Sequence, residues 1–410
     1  MEKHAGNGFE NRFGLPELAF DQAFFRSPHE QLARLRADGA RAVFLPRMGT
    51  IMLLGYADVH DALLDRNLGA IGSAYYEQQG WSEGPYIEWL RRTVVFLDPP
   101  DHDRLRALLS RAFTPRQVAR VRPITERIAS QLADRAAESG RVDLYDAFAQ
   151  KLPLQVICEV IGIPSVDFEQ MGRWTEALSV ATGYPSLEAR KATDEAMVGL
   201  SDYSEELIQT RRAAPADDLL SALIEVEEEG DRLSPEELVA MIAQMLYAGH
   251  ETTRNLIGNG LFCLLEHPDQ LVLLRRDPGL IEGAVEEMLR YEPPIIYLSR
   301  VVQADCEIAG IGFEAGSLMH VSLSSANRDP ARFDEPDRFD VTRPDNRHLS
   351  FGFGAHFCLG ASIARMEGRV AFETLLARFA SIEWAGGEPS WADDTALRTL
   401  EAFPVALRAA

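Results

Sequence analysis

The residue of this chain best suited to metal chemistry is a cysteine that lies among glycines. Cys358 lies between Gly354 and Gly360 in the stretch FGFGAHFCLG, residues 351–360. Because glycine has no side chain, this segment can turn sharply and approach a flat or bulky group closely. A helix predicted from Ala361 would direct N–H groups and its positive end at the thiol, which favours a metal-binding thiolate. The segment therefore predicts a thiolate ligand; the alternative is a glycine-rich turn with an incidental cysteine.

A second group of reactive residues lies within a predicted helix. Residues 248–253 have the sequence AGHETT, in which Ala248 and Thr252 are four positions apart and share one helix face. The Thr252 hydroxyl can bond the carbonyl four residues back, which bends the helix and leaves a small-residue groove that could hold dioxygen. Glu251, beside it, could relay protons from solvent. If the motif stood alone, a helix contact through small residues with surface charges would be the favoured interpretation.

Two further pairs of charged residues have helical spacing. Glu287 and Arg290 are three positions apart on one helix face, although Glu286 is also within reach of Arg290. His102 and Arg106 are four positions apart, an arrangement suited to holding an anionic group. Solvent-exposed helix faces are the alternative for both pairs.

Together these motifs resemble those of the cytochrome P450 family. The resemblance covers roughly Asp98 to Val405 in the family's order, and its most specific part is Phe351-x-x-Gly354-x-x-x-Cys358-x-Gly360. It implies that Cys358 is the axial ligand of the iron of haem b (iron protoporphyrin IX). It also implies a wider set of cofactor-binding residues: His102, Arg106, Ala248, Arg300, Phe351, His356, Cys358 and Gly360. Within this set, the haem propionates would be bound by His102, Arg106, Arg300 and His356.

The resemblance assigns two more groups of residues. Glu251 and Thr252 match the acid–alcohol pair of the family's oxygen-binding helix and would be catalytic. Glu287 and Arg290 match a buried pair that supports the haem loop, which favours Glu287 over Glu286, and Arg338 matches the third member of that network.

The activity implied is haem-thiolate monooxygenation. One oxygen atom of O2 would be inserted into a small apolar organic substrate by hydroxylation or epoxidation. Electrons would come from NAD(P)H through ferredoxin reductase and ferredoxin. A peroxygenase or isomerase is one alternative, but Glu251 and Thr252 would be dispensable for those chemistries. A non-enzymatic haem sensor is the other, and no appended output domain is expected.

Substrate contacts are expected from apolar residues on the distal side of the haem. The loop Tyr75–Trp89 and the helix around Leu178–Tyr184 belong to this region. The individual candidates, each of which could equally be core packing, are Ile242, Met245, Leu246, Ile295, Ile296, Leu298 and Leu400. An apolar substrate follows, while terpenoids, steroids, polyketides, fatty acids and aromatics all remain open.

A mainly α-helical fold with a small β portion must position these residues, and the resemblance implies the cytochrome P450 fold. No repeat or linker divides the chain, so residues 1–410 are expected to form one domain. The longest helix is predicted at about 234–267, because Ser234 and Glu237 form a capping box around Pro235. Its first half is apolar on most sides, which predicts a helix buried in the centre of the protein and passing over the haem.

The overall charge and the cysteines indicate which partners to expect. A net charge of −22 argues against nucleic acid and anionic membranes as partners. The four cysteines are scattered along the chain, which fits a reducing compartment. No apolar run reaches the roughly 18–20 residues of a membrane span. A cytoplasmic protein without an anchor is expected.

Residues 91–122 depart from this acidic average. They contain eight arginines but only three acids. By resemblance, this region and the Cys358 loop form the face on which an acidic ferredoxin docks, and Arg104, Arg111 and Arg116 are the candidate contacts. A solvated helix face balanced by nearby acids is the alternative.

Overall fold

The computed structural model describes residues 10–113, 115–182, 186–228, 233–386, 389–392 and 396–410. The side chains of residues 112, 115–118, 182 and 226–228 are not described. Within the described residues the chain is mainly helical with a small β portion, which confirms the predicted fold class.

Helices make up most of the described chain. The α-helices, in order, are α1 (Gln22–Arg26), α2 (Pro28–Ala37), α3 (Tyr56–Leu64), α4 (Ala74–Gln78), α5 (Pro85–Leu90), α6 (Asp101–Ala112), α7 (Pro115–Ser139), α8 (Lys151–Ile161), α9 (Phe168–Ser179), α10 (Leu187–Ala213), α11 (Leu219–Glu228), α12 (Pro235–Glu266), α13 (Pro268–Arg276), α14 (Ile281–Tyr291), α15 (Leu323–Ala326) and α16 (Ala361–Arg378). A π-helical turn at Tyr145–Ala149 leads into α8.

The strands form two sheets and a hairpin. They are β1 (Ala42–Leu45), β2 (Thr50–Leu53), β3 (Leu68–Ala70), β4 (Arg141–Asp143), β5 (Tyr297–Val302), β6 (Cys306–Ile308), β7 (Ile311–Phe313), β8 (Leu318–Ser322), β9 (Phe379–Trp384) and β10 (Pro404–Ala409). The larger sheet has the order β1-β2-β8-β5-β3, in which only β2 and β8 pair in parallel. The smaller sheet has the order β4-β10-β9, and β6 pairs with β7. The larger sheet presents β5 to the Cys358 loop.

Helix α12 has the ends that the sequence predicts. The Ser234 hydroxyl accepts from the N–H of Glu237 at 3.1 Å, and the Glu237 carboxylate accepts from the N–H of Ser234 at 2.8 Å. These bonds satisfy N–H groups that would otherwise lack partners at the start of a helix. The helix ends at Glu266, and Pro268 opens α13. Its 32 residues give a length of about 48 Å.

Helix α12 passes between two large hydrophobic clusters. Its first half, including Met245 and Leu246, packs into a cluster with α5, α6 and α8–α11. Its second half, including Leu256 and Leu261, packs into another cluster with α7, α14 and α16. The AGHETT motif lies where one cluster gives way to the other. This placement buries both sides of the helix while leaving the motif at the boundary between two cores.

None of the helices in the described residues contains an 18-residue stretch hydrophobic enough to span a bilayer.

Candidate active site

Cys358 lies in the turn between a 3-10 helix and α16. The 3-10 helix covers Gly354–His356. Gly354 has a φ of 73°, and a Cβ at this position would lie 3.0 Å from the Leu63 carbonyl oxygen of α3. Both facts require glycine here. The N–H of Cys358 donates to the carbonyl of Phe351 at 2.9 Å, which closes the loop beneath the thiol.

Cys358 is an exposed residue, although other protein atoms surround much of its loop. Burial raises the pKa of this thiol, while the N–H of Gly360 and the charges of Arg106 and Arg365 act to lower it. The stabilising groups expected from the sequence are therefore present, but burial outweighs them. A coordinated metal cation supplies the positive charge needed to remove the thiol proton.

Four basic side chains converge beside this loop from three elements. His102 and Arg106 lie on α6, Arg300 on β5, and His356 in the loop itself. The ring centroids of His102 and His356 are 4.2 Å apart. Arg106 donates to the carbonyl of Phe357 at 2.6 Å. Burial, followed by the charges of the other three groups, lowers the pKa of His356 to about 3.

Arg106 and Arg300 decide whether this cluster suits an anionic group. Arg106 donates to the carbonyl of Phe357 and Arg300 to that of Ser299, and neither forms a salt bridge with a carboxylate among the described residues. Burial lowers the pKa of both guanidinium groups, to about 10 for Arg300, with Asp98 partly opposing the effect there. Partly buried cations without a carboxylate partner are unfavourable, and a bound anion removes that cost. The cluster fits the two carboxylates of a haem beside a cysteine ligand.

The α12 motif adopts the local geometry expected from its spacing. The Thr252 hydroxyl donates to the carbonyl of Ala248 at 2.7 Å. Ala248, Gly249 and Thr252 keep free surface, whereas the preceding residues from 241 to 246 are buried. The motif therefore presents a strip of small residues at which a ligand can lie.

Glu251 is buried and forms an ion pair that was not predicted. Its Oε2 lies 2.5 Å from a guanidinium nitrogen of Arg254, three residues later. Burial raises the pKa of Glu251 to about 7, although Arg254 acts to lower it. His250 bonds Thr175 at 3.0 Å and the carbonyl of Gln150 at 3.1 Å. The spacing of Glu251 and Arg254 could have revealed the pair from the sequence.

The pair of Glu287 and Arg290 is fully buried and doubly hydrogen-bonded. Both N–O distances are 2.8 Å. Glu286, the competing candidate in the sequence, points elsewhere and binds Arg365 through two bonds of 2.8 Å. That contact joins α14 to α16, the helix that follows Cys358.

The expectation for Arg338 was wrong. Its side chain is 56% exposed and binds Glu335, and it contributes only its backbone carbonyl to Arg290. The third side chain of the network is that of Arg343, whose Nε lies 3.1 Å from Glu287. The segment turns sharply after Asp340. The arginine that faces inward is therefore Arg343, five positions after Arg338. No local sequence signal distinguishes the two.

The substrate candidates differ in how much of each side chain is exposed. Ile242, Leu246, Ile296 and Leu400 are 0% exposed, so they are core residues in this conformation and the expectation that they line a pocket was wrong. Ile296 packs with the N-terminal helices, and Leu400 packs in the α7–α14–α16 cluster. A side chain that contacts a ligand needs surface that the protein itself does not cover.

Two of the remaining substrate candidates, Ile295 and Leu298, are half-buried and keep free surface, while Met245 is buried with 7% exposure. Leu298 lies close to the Cys358 loop, since its methyl group is 3.9 Å from where a Cβ on Gly352 would be. The sequence did not single out Tyr247, which is half-buried on α12 and packs edge-on against Trp89.

The three predicted docking arginines differ in their pairing and exposure. Arg104 forms an ion pair with Glu237 at the start of α12. It is therefore not available to a partner, contrary to the expectation. Arg111 is exposed at the end of α6. The side chain of Arg116 lies outside the described residues.

Known proteins match this chain over most of its length. The family model described as Cytochrome P450 matches residues 41–277 and 279–397. Cytochrome P450 107B1 of Saccharopolyspora erythraea is 40% identical over 401 residues, covering 95% of this chain and 97% of that protein. The vitamin D(3) 25-hydroxylase of Pseudonocardia autotrophica is 40% identical over 395 residues, covering 95% and 96%.

A solved structure has the same arrangement of elements. The crystal structure of P450BioI in complex with acyl carrier protein ligated to hexadec-9Z-enoic acid aligns with a TM-score of 0.87 at 35% identity. The alignment covers 94% of this chain and 99% of that one. The fold implied by the sequence motifs is thereby confirmed.

Proposed function

The chain belongs to the cytochrome P450 family, whose members are haem-dependent monooxygenases, and from that premise we propose a specific reaction for it. The enzyme inserts one oxygen atom of O2 into a small apolar substrate by hydroxylation or epoxidation. Its electrons come from NAD(P)H through a ferredoxin reductase and a ferredoxin.

One observation carries the residue assignments of this proposal. The thiol of Cys358 has free surface beside two partly buried arginines, Arg106 and Arg300, that form no salt bridge with a carboxylate among the described residues. A thiolate ligand and an anion site therefore occur side by side. Haem b has an iron for the first and two propionates for the second, and His102 and His356 complete the anion site.

Each side of the cofactor site has its own task. Bound haem supplies dioxygen activation, which an axial thiolate promotes by donating electron density that favours O–O cleavage. Cys358 would hold the iron, and Phe351 and Gly360 shape its loop. Ala248 and Thr252 would border the bound haem, where their small side chains would leave room for dioxygen and substrate.

Glu251 and Thr252 move protons at this site. The Thr252 hydroxyl proton is held by the Ala248 carbonyl, which leaves the lone pairs of Oγ1 free to accept a hydrogen bond. A carboxyl group with a pKa of about 7 is half protonated near neutral pH and can both accept and release a proton. Burial of Glu251 limits the entry of bulk water.

The substrate is expected to be apolar because the residues with free surface around the site are apolar or aromatic. Tyr247 and Leu298 are such residues on α12 and β5. The names of two related proteins, a vitamin D(3) 25-hydroxylase and a P450 bound to a fatty acid ligated to acyl carrier protein, point to the same chemical class. Lipid-like molecules of modest size are therefore the first compounds to screen.

The test of the proposal is the absorption spectrum of the reduced protein bound to carbon monoxide. Cys358→Ala and Cys358→His should lose the thiolate-type spectrum, because no other thiol is expected to reach the iron. Cys306→Ala is the matched control, since Cys306 is a half-exposed cysteine on β6.

A thiolate spectrum in Cys358→Ala equal to that of the wild type would reject Cys358 as ligand. NAD(P)H-driven product formation with surrogate redox proteins then tests the reaction. Product formed with peroxide but not with NAD(P)H and any ferredoxin would favour a peroxygenase instead.

A further inference from the structure

The ion pair between Glu251 and Arg254 is the least expected feature of the site. Glu251 is 1% exposed and Arg254 is 7% exposed, and their side chains approach to 2.5 Å. The two residues are three apart on α12, so the pair spans one helical turn. A buried carboxylate is costly without a positive partner, and Arg254 supplies that partner.

Arg254 is placed by elements other than α12. Its guanidinium carbon lies 5.9 Å from the centre of the Tyr145 ring, in the π-helical turn that precedes α8. The Tyr145 hydroxyl donates to Asn255 at 2.9 Å, which fixes the ring beside the guanidinium. Arg254 forms no other salt bridge among the described residues. Its ion pair among these residues is therefore with Glu251.

The other groups that face Glu251 come from α12, α9 and the π-helical turn. On α12, His250 lies 3.4 Å away but is neutral, because burial lowers its pKa to about 3, and Tyr247 is also near. On α9, Ser179 lies near the carboxylate and Glu176 repels it. Tyr145 completes the surroundings. Arg254 is thus the one cation among these described groups.

Helix α9 brings two residues of different exposure near Glu251. Glu176 is exposed and Ser179 is half-buried, and the Ser179 hydroxyl donates to the Glu176 carbonyl at 2.9 Å. Arg254 lies on α12, two residues past Thr252.

We propose that Arg254 is a positioning residue that stabilises the ionised form of Glu251, so that Glu251 can exchange protons instead of staying neutral. The inference rests on the proposed role of Glu251 in proton delivery. Without Arg254, burial would hold Glu251 in its neutral form, which cannot accept a proton. With Arg254, the Glu251 carboxylate can accept one proton and pass one proton on toward Thr252, returning to its ionised state.

The test is a direct titration of Glu251 in the haem-loaded protein by infrared difference spectroscopy. The band of the Glu251 carboxyl group is identified by its loss in Glu251→Gln. In Arg254→Met its titration midpoint should rise by about 1–3 pH units, the effect of a nearby opposite charge on a carboxyl group. Arg254→Lys should keep most of the wild-type midpoint, because it keeps the charge.

Arg127→Met is the matched control, since Arg127 forms a half-exposed ion pair with Glu159 away from the motif. It should leave the Glu251 midpoint unchanged. An unchanged midpoint in Arg254→Met would overturn the proposal. If Arg254→Met does not fold, Arg254→Gln replaces it in the titration. A wild-type midpoint for Glu251 in Arg254→Gln would likewise overturn the proposal.

A second measurement separates this inference from the proposed function. The ratio of product formed to NAD(P)H consumed is followed against pH for Glu251→Gln and Arg254→Met. If Glu251→Gln couples normally at every pH, the role of Glu251 in proton delivery fails, even if Arg254 controls its titration. If Glu251→Gln is uncoupled but Arg254→Met has the wild-type pH profile and midpoint, only the inference about Arg254 fails.

Discussion

At the scale of single residues, Arg338 and Arg343 show how little sequence proximity says about a side chain's role. Both lie in the segment that follows α15, five positions apart. Arg343 is buried against Glu287 and also donates to the carbonyl of Asp334 at 2.7 Å. Arg338 points outward to Glu335. The inward arginine helps to hold the segment against α14, which carries Glu287.

We therefore predict different stability effects for these two arginines. Arg343→Met should lower the free energy of unfolding by about 1–3 kcal/mol, because it removes charged hydrogen bonds from buried acceptors. Arg338→Met should change it by no more than about 0.5 kcal/mol, as an exposed ion pair contributes little. Urea unfolding of the haem-loaded variants measures both. Equal losses would mean that Arg343 does not hold the segment.

At the scale of elements, glycines of α12 lie where other elements approach the helix closely. A Cβ on Gly258 would lie 2.8 Å from the ring of Tyr145, and one on Gly249 would lie 3.2 Å from the side chain of Ile157 on α8. The Tyr145 ring is fixed by its bond to Asn255, whereas the end of an isoleucine can adjust. Close packing thus compensates for the low helix propensity of glycine, more strictly at Gly258 than at Gly249.

The corresponding prediction compares two alanine substitutions in the same helix. Alanine gains about 0.5–1 kcal/mol over glycine in a helix interior. At Gly258, overpacking against Tyr145 should exceed this gain and destabilise the protein by about 1–3 kcal/mol. At Gly249 the two effects should nearly cancel. Thermal unfolding of both variants is the measurement, and a more stable Gly258→Ala would show that Tyr145 moves freely.

At the scale of the whole molecule, acids outside the arginine-rich region 91–122, some near it in the chain and some far away, pair with most of its arginines. The pairs are Arg91 with Glu77 and Glu88, Arg92 with Glu88, Arg104 with Glu237, Arg120 with Asp217, and Arg122 with Glu126 and Glu373. Arg106 belongs to the anion site. Arg111 is left as the exposed docking candidate that the structure describes.

A charge reversal at Arg111 tests this narrower docking surface. Arg111→Glu should slow reduction by a [2Fe–2S] ferredoxin several-fold at low ionic strength, and the difference should shrink as salt screens the charges. Turnover driven by peroxide should not change. Stopped-flow reduction measures the rates.

Arg26→Glu is the control for this experiment. Arg26 is an exposed arginine on α1, which packs with α2 and the N-terminal cluster, and its reversal changes the net charge equally. Equal slowing in both variants would mean that overall charge, and not a site at Arg111, governs the encounter.

The sequence by itself determined the features that depend on neighbours along the chain. The capping box of Ser234 and Glu237, the Thr252–Ala248 bond and the Glu287–Arg290 pair each join residues three or four apart. Helical geometry fixes such contacts wherever the helix forms. The Cys358 loop was predictable for a similar reason, since its glycines and cysteine occupy one short segment. The Glu251–Arg254 pair, three positions apart, belongs to the same class, although it was not predicted.

Only the tertiary structure decided the contacts between residues far apart in the chain. Arg104 meets Glu237 across 133 positions, and Arg343 meets Glu287 across 56. Which apolar residues keep free surface also depends on how the clusters around α12 close, as Leu298 and Leu400 show. A local pattern gives the face of a helix or strand on which a residue lies, but the neighbour on that face is set by the packing of the whole chain.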